Sequence, residues 1–530
     1  MKYLLGRGEA AGRAEQLEPV VVIVPPARGW LAKKGKINNA VLQEKDGGRS
    51  PWCERFFMTC YLMSYRFFVL CKVGLSMAYL WACWDFVRIN LALGDHLQDL
   101  LPPLASETLV NDTALNSALV NTLLLLSSLA MVWIYFVLAP VAVGLFIWGR
   151  HRWVQVGVGA WVWLSMIGLT ARASILMSTA DFWLNWCFIC YVVAGFVTPR
   201  RRWDKSQPPT SRELWRANPI VASEYALLVV ILQFTVYFYA GINKLLDGWV
   251  PWIYGTAIQN LSYDLSMRDY ARGLPVPFWI SAIFCYVTLF QRLVVPFGFF
   301  IMRYRGWAVL ILGAMHAGYE MLMQVAIFPL VGLSGLLLII PPRELALPLC
   351  SRPTLKQDKR LRHVLKSLPG PAPSFTQRAA FLVVAAILLV EPIANAALTP
   401  DLPYWNIKLG TLLHWTMFSD GGAHSRVRLR VGVMVRDPKT GMQRYDEVTD
   451  LPLRYLPDTW RTRFYQQTLL FKALAAQNAT GEEIRRSDYL AGYVRSAVKL
   501  YEGQGGPHVE AVNLELAPYD TCPFPIVQAK

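Results

Sequence analysis

The sequence predicts a mainly α, polytopic membrane helical bundle of about nine spans, followed by a small α+β extracytoplasmic C-terminal domain. Three observations lead there. Of 530 residues, 54% are hydrophobic and only 17% charged, with a mean hydropathy of +0.32, whereas a soluble domain has about a quarter of its residues charged. Apolar runs of the roughly 20 residues that a helix needs to cross a bilayer recur from the sixties to the late 390s. The basic residues collect in short loops between these runs. That distribution explains the net charge of +16 by membrane topology rather than by a nucleic-acid surface.

Residues 1–65 are rich in Lys and Arg, carry no cleavable signal-peptide pattern, and read as a cytoplasmic extension. The transmembrane domain, 66–398, contains candidate spans at about 66–93, 119–148, 153–172, 182–198, 221–245, 276–301, 306–324, 326–341 and 377–398. The second is long enough to tilt or to kink at Pro140, and the fourth and eighth are short enough to be re-entrant. Basic loops follow spans two (Arg150, Arg152), four (Arg200, Arg201, Arg202), six (Arg303, Arg305) and eight (Arg352, Lys356, Lys359). They alternate with acidic or neutral loops such as 94–118. All fall on the side of the basic N-terminus, which puts that end in the cytoplasm and the tail outside.

The tail, 399–530, has the patterning of a compact α+β module. Residues Arg426 to Val435 alternate basic and apolar side chains with the period of a half-buried strand, and Asp437 to Gly441 supply turn chemistry. Helical periodicity follows from Thr459 to Ala476 and from Glu482 to Leu500, and a last strand begins at His508. Nine cysteines lie mostly in or beside apolar runs and outline no disulfide framework. Cys187 and Cys190 form a C-x-x-C inside such a run and read as helix-packing residues.

Chemistry concentrates in the fifth span. On a helix, Gln233, Tyr237, Ala240, Gly241 and Lys244 share one stripe by the i, i+3, i+4, i+7 rule. An amide, a phenol and an amine at membrane depth point to a protein interior or wet cavity, because facing lipid costs about 2.5–3.5 kcal/mol or more per charge. The alternative is that Lys244, near the end of its span, snorkels to the headgroups. A second stripe carries His316, Tyr319, Glu320 and Met323. An imidazole and a carboxylate four residues apart can hydrogen-bond, either orienting a ligand oxygen or gluing helices together. Two protein ligands are too few to argue for a metal. Asp181 and Asn185 stand at the outer mouth of span four, and Asp85 and Arg88 are spaced as an interfacial ion pair near the outer end of span one. Trp249 belongs with an interfacial aromatic belt or caps a hydrophobic cofactor. The chain contains no Walker loop, dinucleotide-binding glycine pattern or nucleophile elbow.

The segment YFYAGINKLLDGW, Tyr237 to Trp249, resembles the HTTM family, the transmembrane domain shared with vitamin K-dependent γ-glutamyl carboxylase. Met315 to Pro342 is similar to that family's histidine-bearing helix and Phe-Pro turn, and Trp415 to Phe418 to the opening of the extracytoplasmic module of bacterial members. The resemblance implies that Lys244 is the active-site base, with His316 a second catalytic residue. Gln233, Tyr237, Trp249, Tyr319, Glu320 and Asp181 are then expected to bind the cofactor. It further implies reduced vitamin K or another quinone as cofactor, and O2 and CO2 as co-substrates. Membrane lipid and a peptide or protein substrate on the extracytoplasmic side are the expected partners. Burial in a low-dielectric pocket disfavours the charged ammonium, which suits a base. The alternative expectation is a non-enzymatic HTTM protein that acts in peptide export, maturation or toxin protection by binding lipid or a partner helix.

Overall fold

The computed structural model describes residues 62–93, 122, 125–149, 152–172, 178–197, 211–218, 220–246, 257–264, 267–301, 304–325, 327–341, 382–389, 427–449, 451–452, 461 and 488–518. They are mainly helical. After a short strand β1 (Leu62–Ser64) come helices α1 (Tyr65–Leu93), α2 (Leu129–Trp148), α3 (Arg152–Arg172), α4 (Thr179–Val197) and α5 (Ser211–Ala217). Strand β2 (Ile220–Ala222) leads into α6 (Glu224–Leu246), α7 (Ala257–Leu261), α8 (Phe278–Leu293), a 3-10 turn Val295–Phe300, α9 (Arg305–Leu322) and α10 (Ile327–Leu337).

Four stretches are long and apolar enough to cross a membrane: Tyr65–Ala92, Leu129–Trp148, Glu224–Leu245 and Phe278–Phe300. In α2, Val132, Tyr135, Ala139, Ala142 and Phe146 turn inward, while Val137, Leu138, Val141 and Leu145 are exposed. An apolar outer face of this kind suits a lipid solvent. Pro140 sits inside α2 without ending it. The expected span at 276–301 is not one regular helix. Pro296 cannot donate to the α-helical ladder, and the chain tightens there into the 3-10 turn.

One buried charge on these helices meets aromatic partners. Lys72 on α1 lies over the rings of Phe68, Phe146 and Tyr191 at 5.1, 5.4 and 5.2 Å, a cation–π cage that offsets its desolvation. Strands β1 and β2 pair antiparallel, Leu62 opposite Ala222, and tie the start of α1 to the start of α6. The sequence pattern placed the start of the fifth span inside β2. Between α5 and β2, Asn218 adopts a left-handed conformation with φ 45°, which Asn tolerates better than most residues. Its side-chain oxygen accepts from the Arg66 N–H at 3.0 Å and from the Ser64 hydroxyl.

Helix α10, only eleven residues long, is wedged against α1, α4, α6 and α9. Its small residues allow this. A Cβ on Gly332 would run into the His316 ring, and one on Gly335 into the Gln233 amide; Ser334 similarly fills the space beside Gly74 of α1.

In the tail, β3 (Val427–Arg436), β4 (Gln443–Glu447) and β5 (Val509–Pro518) form an antiparallel sheet in the order β4-β3-β5. The expected strand and turn are present: Asp437 accepts from the Lys439 N–H at 2.8 Å, and Gly441 takes a positive φ of 68°. Val431, Val433 and Val435 point to one face, and helix α11 (Asp488–Gly503) supplies Tyr493, Ala497 and Leu500. Apart from Arg461, the expected helix from Thr459 to Ala476 lies outside the described residues.

Two outcomes follow for stability. Gly332→Ala should cost about 1–3 kcal/mol by overpacking against a rigid ring, read by thermal unfolding in detergent. Gly318→Ala, on α9 with open space around its Cβ position, should be neutral or gain about 0.5–1 kcal/mol from helix propensity. In the sheet, Arg444 at 2.6 Å and then the Tyr501 hydroxyl hold the Asp446 carboxyl below its ordinary range. A depressed folded value means that this stabilisation is complete above the unfolded Asp value of about 3.9 and is lost as pH falls through the lower folded value. An acid titration followed by near-UV circular dichroism should show the loss, and Asp446→Asn should flatten it.

Candidate functional site

Helix α6 turns its polar stripe into the bundle interior. Gln233, Tyr237 and Lys244 are all buried, Lys244 to 1% exposure. The lysine therefore does not snorkel to a surface. On α9, His316 is fully buried, and its Nε2 lies 2.6 Å from the Tyr237 hydroxyl. The imidazole sits among Trp183 of α4 (centroids 6.1 Å apart), Phe328 of α10 (5.1 Å) and Tyr319 (6.4 Å). Trp183 also meets the Tyr237 ring edge-on at 5.7 Å, so one indole braces both partners of the hydrogen bond.

Helix α8 contributes Arg292, buried to 1% exposure. Gly241 makes room for it: a Cβ there would press on the Arg292 Cβ and on Leu293. Arg292 Nη2 donates to the Tyr319 hydroxyl at 3.0 Å. Four buried polar atoms of the cluster have no hydrogen-bond partner among the described residues: both amide atoms of Gln233, His316 Nδ1 and Arg292 Nε. Each such group costs about 1–3 kcal/mol if nothing meets it. Gln233 and His316 press on Gly335 and Gly332 respectively, three residues apart on α10 and so on one face. The cluster thus has a fixed cation, an amine, an imidazole oriented through a phenol, and unpaired donors and acceptors behind aromatic walls.

No family model matches the chain, and no curated protein or solved structure matches it either. Among the described residues no group of His, Cys, Asp and Glu could hold a metal ion.

Two expected site residues lie elsewhere. Glu320 is exposed and pairs with Arg268 Nη2 at 2.8 Å, so the expected His316–Glu320 bond is replaced by His316–Tyr237. Position i+4 puts the carboxylate on the outer edge of α9, where a loop arginine reaches it. Asp181, expected to bind cofactor, is engaged by Arg461 of the tail: Nη1 and Nη2 meet its two oxygens at 2.8 and 2.7 Å. The Ser178 N–H and hydroxyl, both at 2.9 Å, also donate to Asp181 Oδ2. Arg461 Nε lies 3.7 Å from Asp85, and its guanidinium stacks 4.2 Å from the Phe86 ring centroid. All three ionic side chains are buried, whereas Arg88 is exposed. Trp249 lies outside the described residues.

Sequence reasoning missed Arg292 and Arg461. Arg292 carried the signal that singled out Lys244, a charge inside an apolar run. Arg461 had none, since its partner is 280 residues away.

Removing one member of a buried ionic group strands the others. Arg461→Ala should therefore lower stability by about 3–5 kcal/mol and expose the tail to limited proteolysis. A double-mutant cycle with Asp181→Ala should give a coupling above about 1 kcal/mol.

Proposed function

We propose that the chain is a membrane protein of the vitamin K-dependent carboxylase-like, HTTM class, with its active site at the Lys244–Tyr237–His316–Arg292 cluster. The observation that carries this reading is the burial of Lys244 on the same helical stripe as Tyr237, two turns from the hydrogen-bonded Tyr237–His316 pair. The proposal includes nine spans, a cytoplasmic N-terminus, an extracytoplasmic tail and a bacterial inner membrane, and it rests there on loop charge.

The groups present are of the kinds that a reduced quinone needs. Such a ring needs apolar surroundings, to which Trp183 and Phe328 contribute with rings already 5.4 Å apart, and donors and acceptors for two hydroxyls. The Gln233 amide and His316 Nδ1 are unpaired among the described residues and are of the required kinds. A bound reduced quinone, with O2, supplies the oxidative drive for adding CO2 to the γ-carbon of a peptide glutamate. Lys244 acts as general base through its neutral amine, accepting a proton at Nζ. His316, held by Tyr237, orients a ligand oxygen, and Gln233 fixes the opposite end. Helix α10, seated on its glycines, keeps water from the histidine side.

A second reading, a non-enzymatic protein that holds lipid or a partner helix, draws on α8, whose Phe278, Ile283, Phe284, Val287 and Phe290 form an exposed apolar face. Mass spectrometry of the purified protein separates the two. A co-purifying quinone is expected, and phospholipid alone favours the second reading. Lys244→Ala, with membrane insertion intact, should lower carboxylation about 100-fold or more; unchanged activity would sink the catalytic role.

A further inference from the structure

Among the described residues Arg292 is a buried cation without an anion, and we propose that it is the receptor for a ligand carboxylate. The inference rests on reading this cluster as a site and adds the charge of what enters it. A guanidinium has five donors and cannot be deprotonated in a protein, and a charge at this depth is costly unless met. Its described contacts do not meet it. Nη2 donates to a neutral phenol, Nε has no partner, and among the described residues no carboxylate lies within ion-pair distance. The Tyr319 ring, 5.9 Å from Cζ, offers a π contact rather than a counter-charge. The neighbouring titratable groups, Tyr237 on α6 and His316 and Tyr319 on α9, supply no negative charge. Glu320, next in sequence to Tyr319, is exposed and taken by Arg268.

Charge and shape select the ligand class. One guanidinium balances one planar carboxylate and matches its two oxygens. A phosphate, with up to two charges, would need a second fixed cation, and Lys244 must be neutral to act as a base. The Arg292 stem rests on Gly241, one helical turn before Lys244 on α6, while its guanidinium reaches the Tyr319 hydroxyl. In a membrane the carboxylate can come from a small or peptide acid or from a fatty acid.

The test is thermal unfolding of the full-length protein in phosphatidylcholine nanodiscs. Acetate is compared with chloride at equal ionic strength, and oleate with its uncharged methyl ester. Acetate should raise the midpoint relative to chloride if the source is a small acid. Oleate alone, with methyl oleate silent, assigns the site to a lipid carboxylate. Arg292→Met should abolish either shift and, without carboxylate, unfold no earlier than the parent protein, because the uncompensated charge is gone. Arg292→Lys keeps the charge but not the fork, and should need roughly ten-fold more carboxylate for the same shift; this variant carries the test if Arg292→Met fails to insert. The proposal is overturned if neither carboxylate acts on the parent protein, or if Arg292→Met keeps the shift. The assay reads carboxylate binding and adds no quinone, so such a failure counts against the carboxylate receptor alone, whereas absence of a co-purifying quinone counts against the catalytic reading.

Discussion

The buried guanidinium of Arg461 is a point at which the two parts of the chain meet. It is bidentate to Asp181 at the first turn of α4 and close to Asp85 on α1. Asp181 is two residues before Trp183, the indole that packs against both Tyr237 and His316. A charged group from the tail thus sets where α4 begins, α4 sets the indole, and the indole confines the hydrogen-bonded pair. Ionic groups this deep gain little net stability over apolar packing, but losing one partner is expensive. Geometry is therefore specified more strongly than stability.

The candidate site follows the same economy of space. Helices approach closely where side chains vanish: Gly241 admits Arg292, Gly332 admits His316, and Gly335 admits Gln233. In a bilayer, where helix association has little hydrophobic drive, small residues let backbones come near enough for dispersion and polar contacts to hold them. Here those residues also bring an amine, a guanidinium, an imidazole and an amide to one interior face. That grouping is what the proposed site rests on.

Much of this was legible in the sequence. Apolar run length marked the helices, and the 3.6-residue period put Gln233, Tyr237 and Lys244 on one face. Period-two alternation marked β3. Local rules reached no further. The i, i+4 spacing of His316 and Glu320 describes a possible bond on one helix, but the imidazole found its partner on another helix, and the carboxylate found a loop arginine. Asp85 looked paired with Arg88 by spacing, yet the helix turns Asp85 inward and Arg88 outward. Pro296 was visible, but its effect was not read: the sixth span changes from α-helix to 3-10 turn there. Contacts such as Arg461 with Asp181 depend on the closed fold and leave no periodic trace.

The ionic junction also orders the making of the protein. Ribosomes deliver Asp85 and Asp181 to the membrane long before Arg461, which follows Asp181 by 280 residues. During that interval the two carboxylates stand without the guanidinium that later neutralises them. The helices can form one by one, but the junction at Asp85 and Asp181 cannot close until residue 461 has been translated. That closure is thus a late event in the making of the chain.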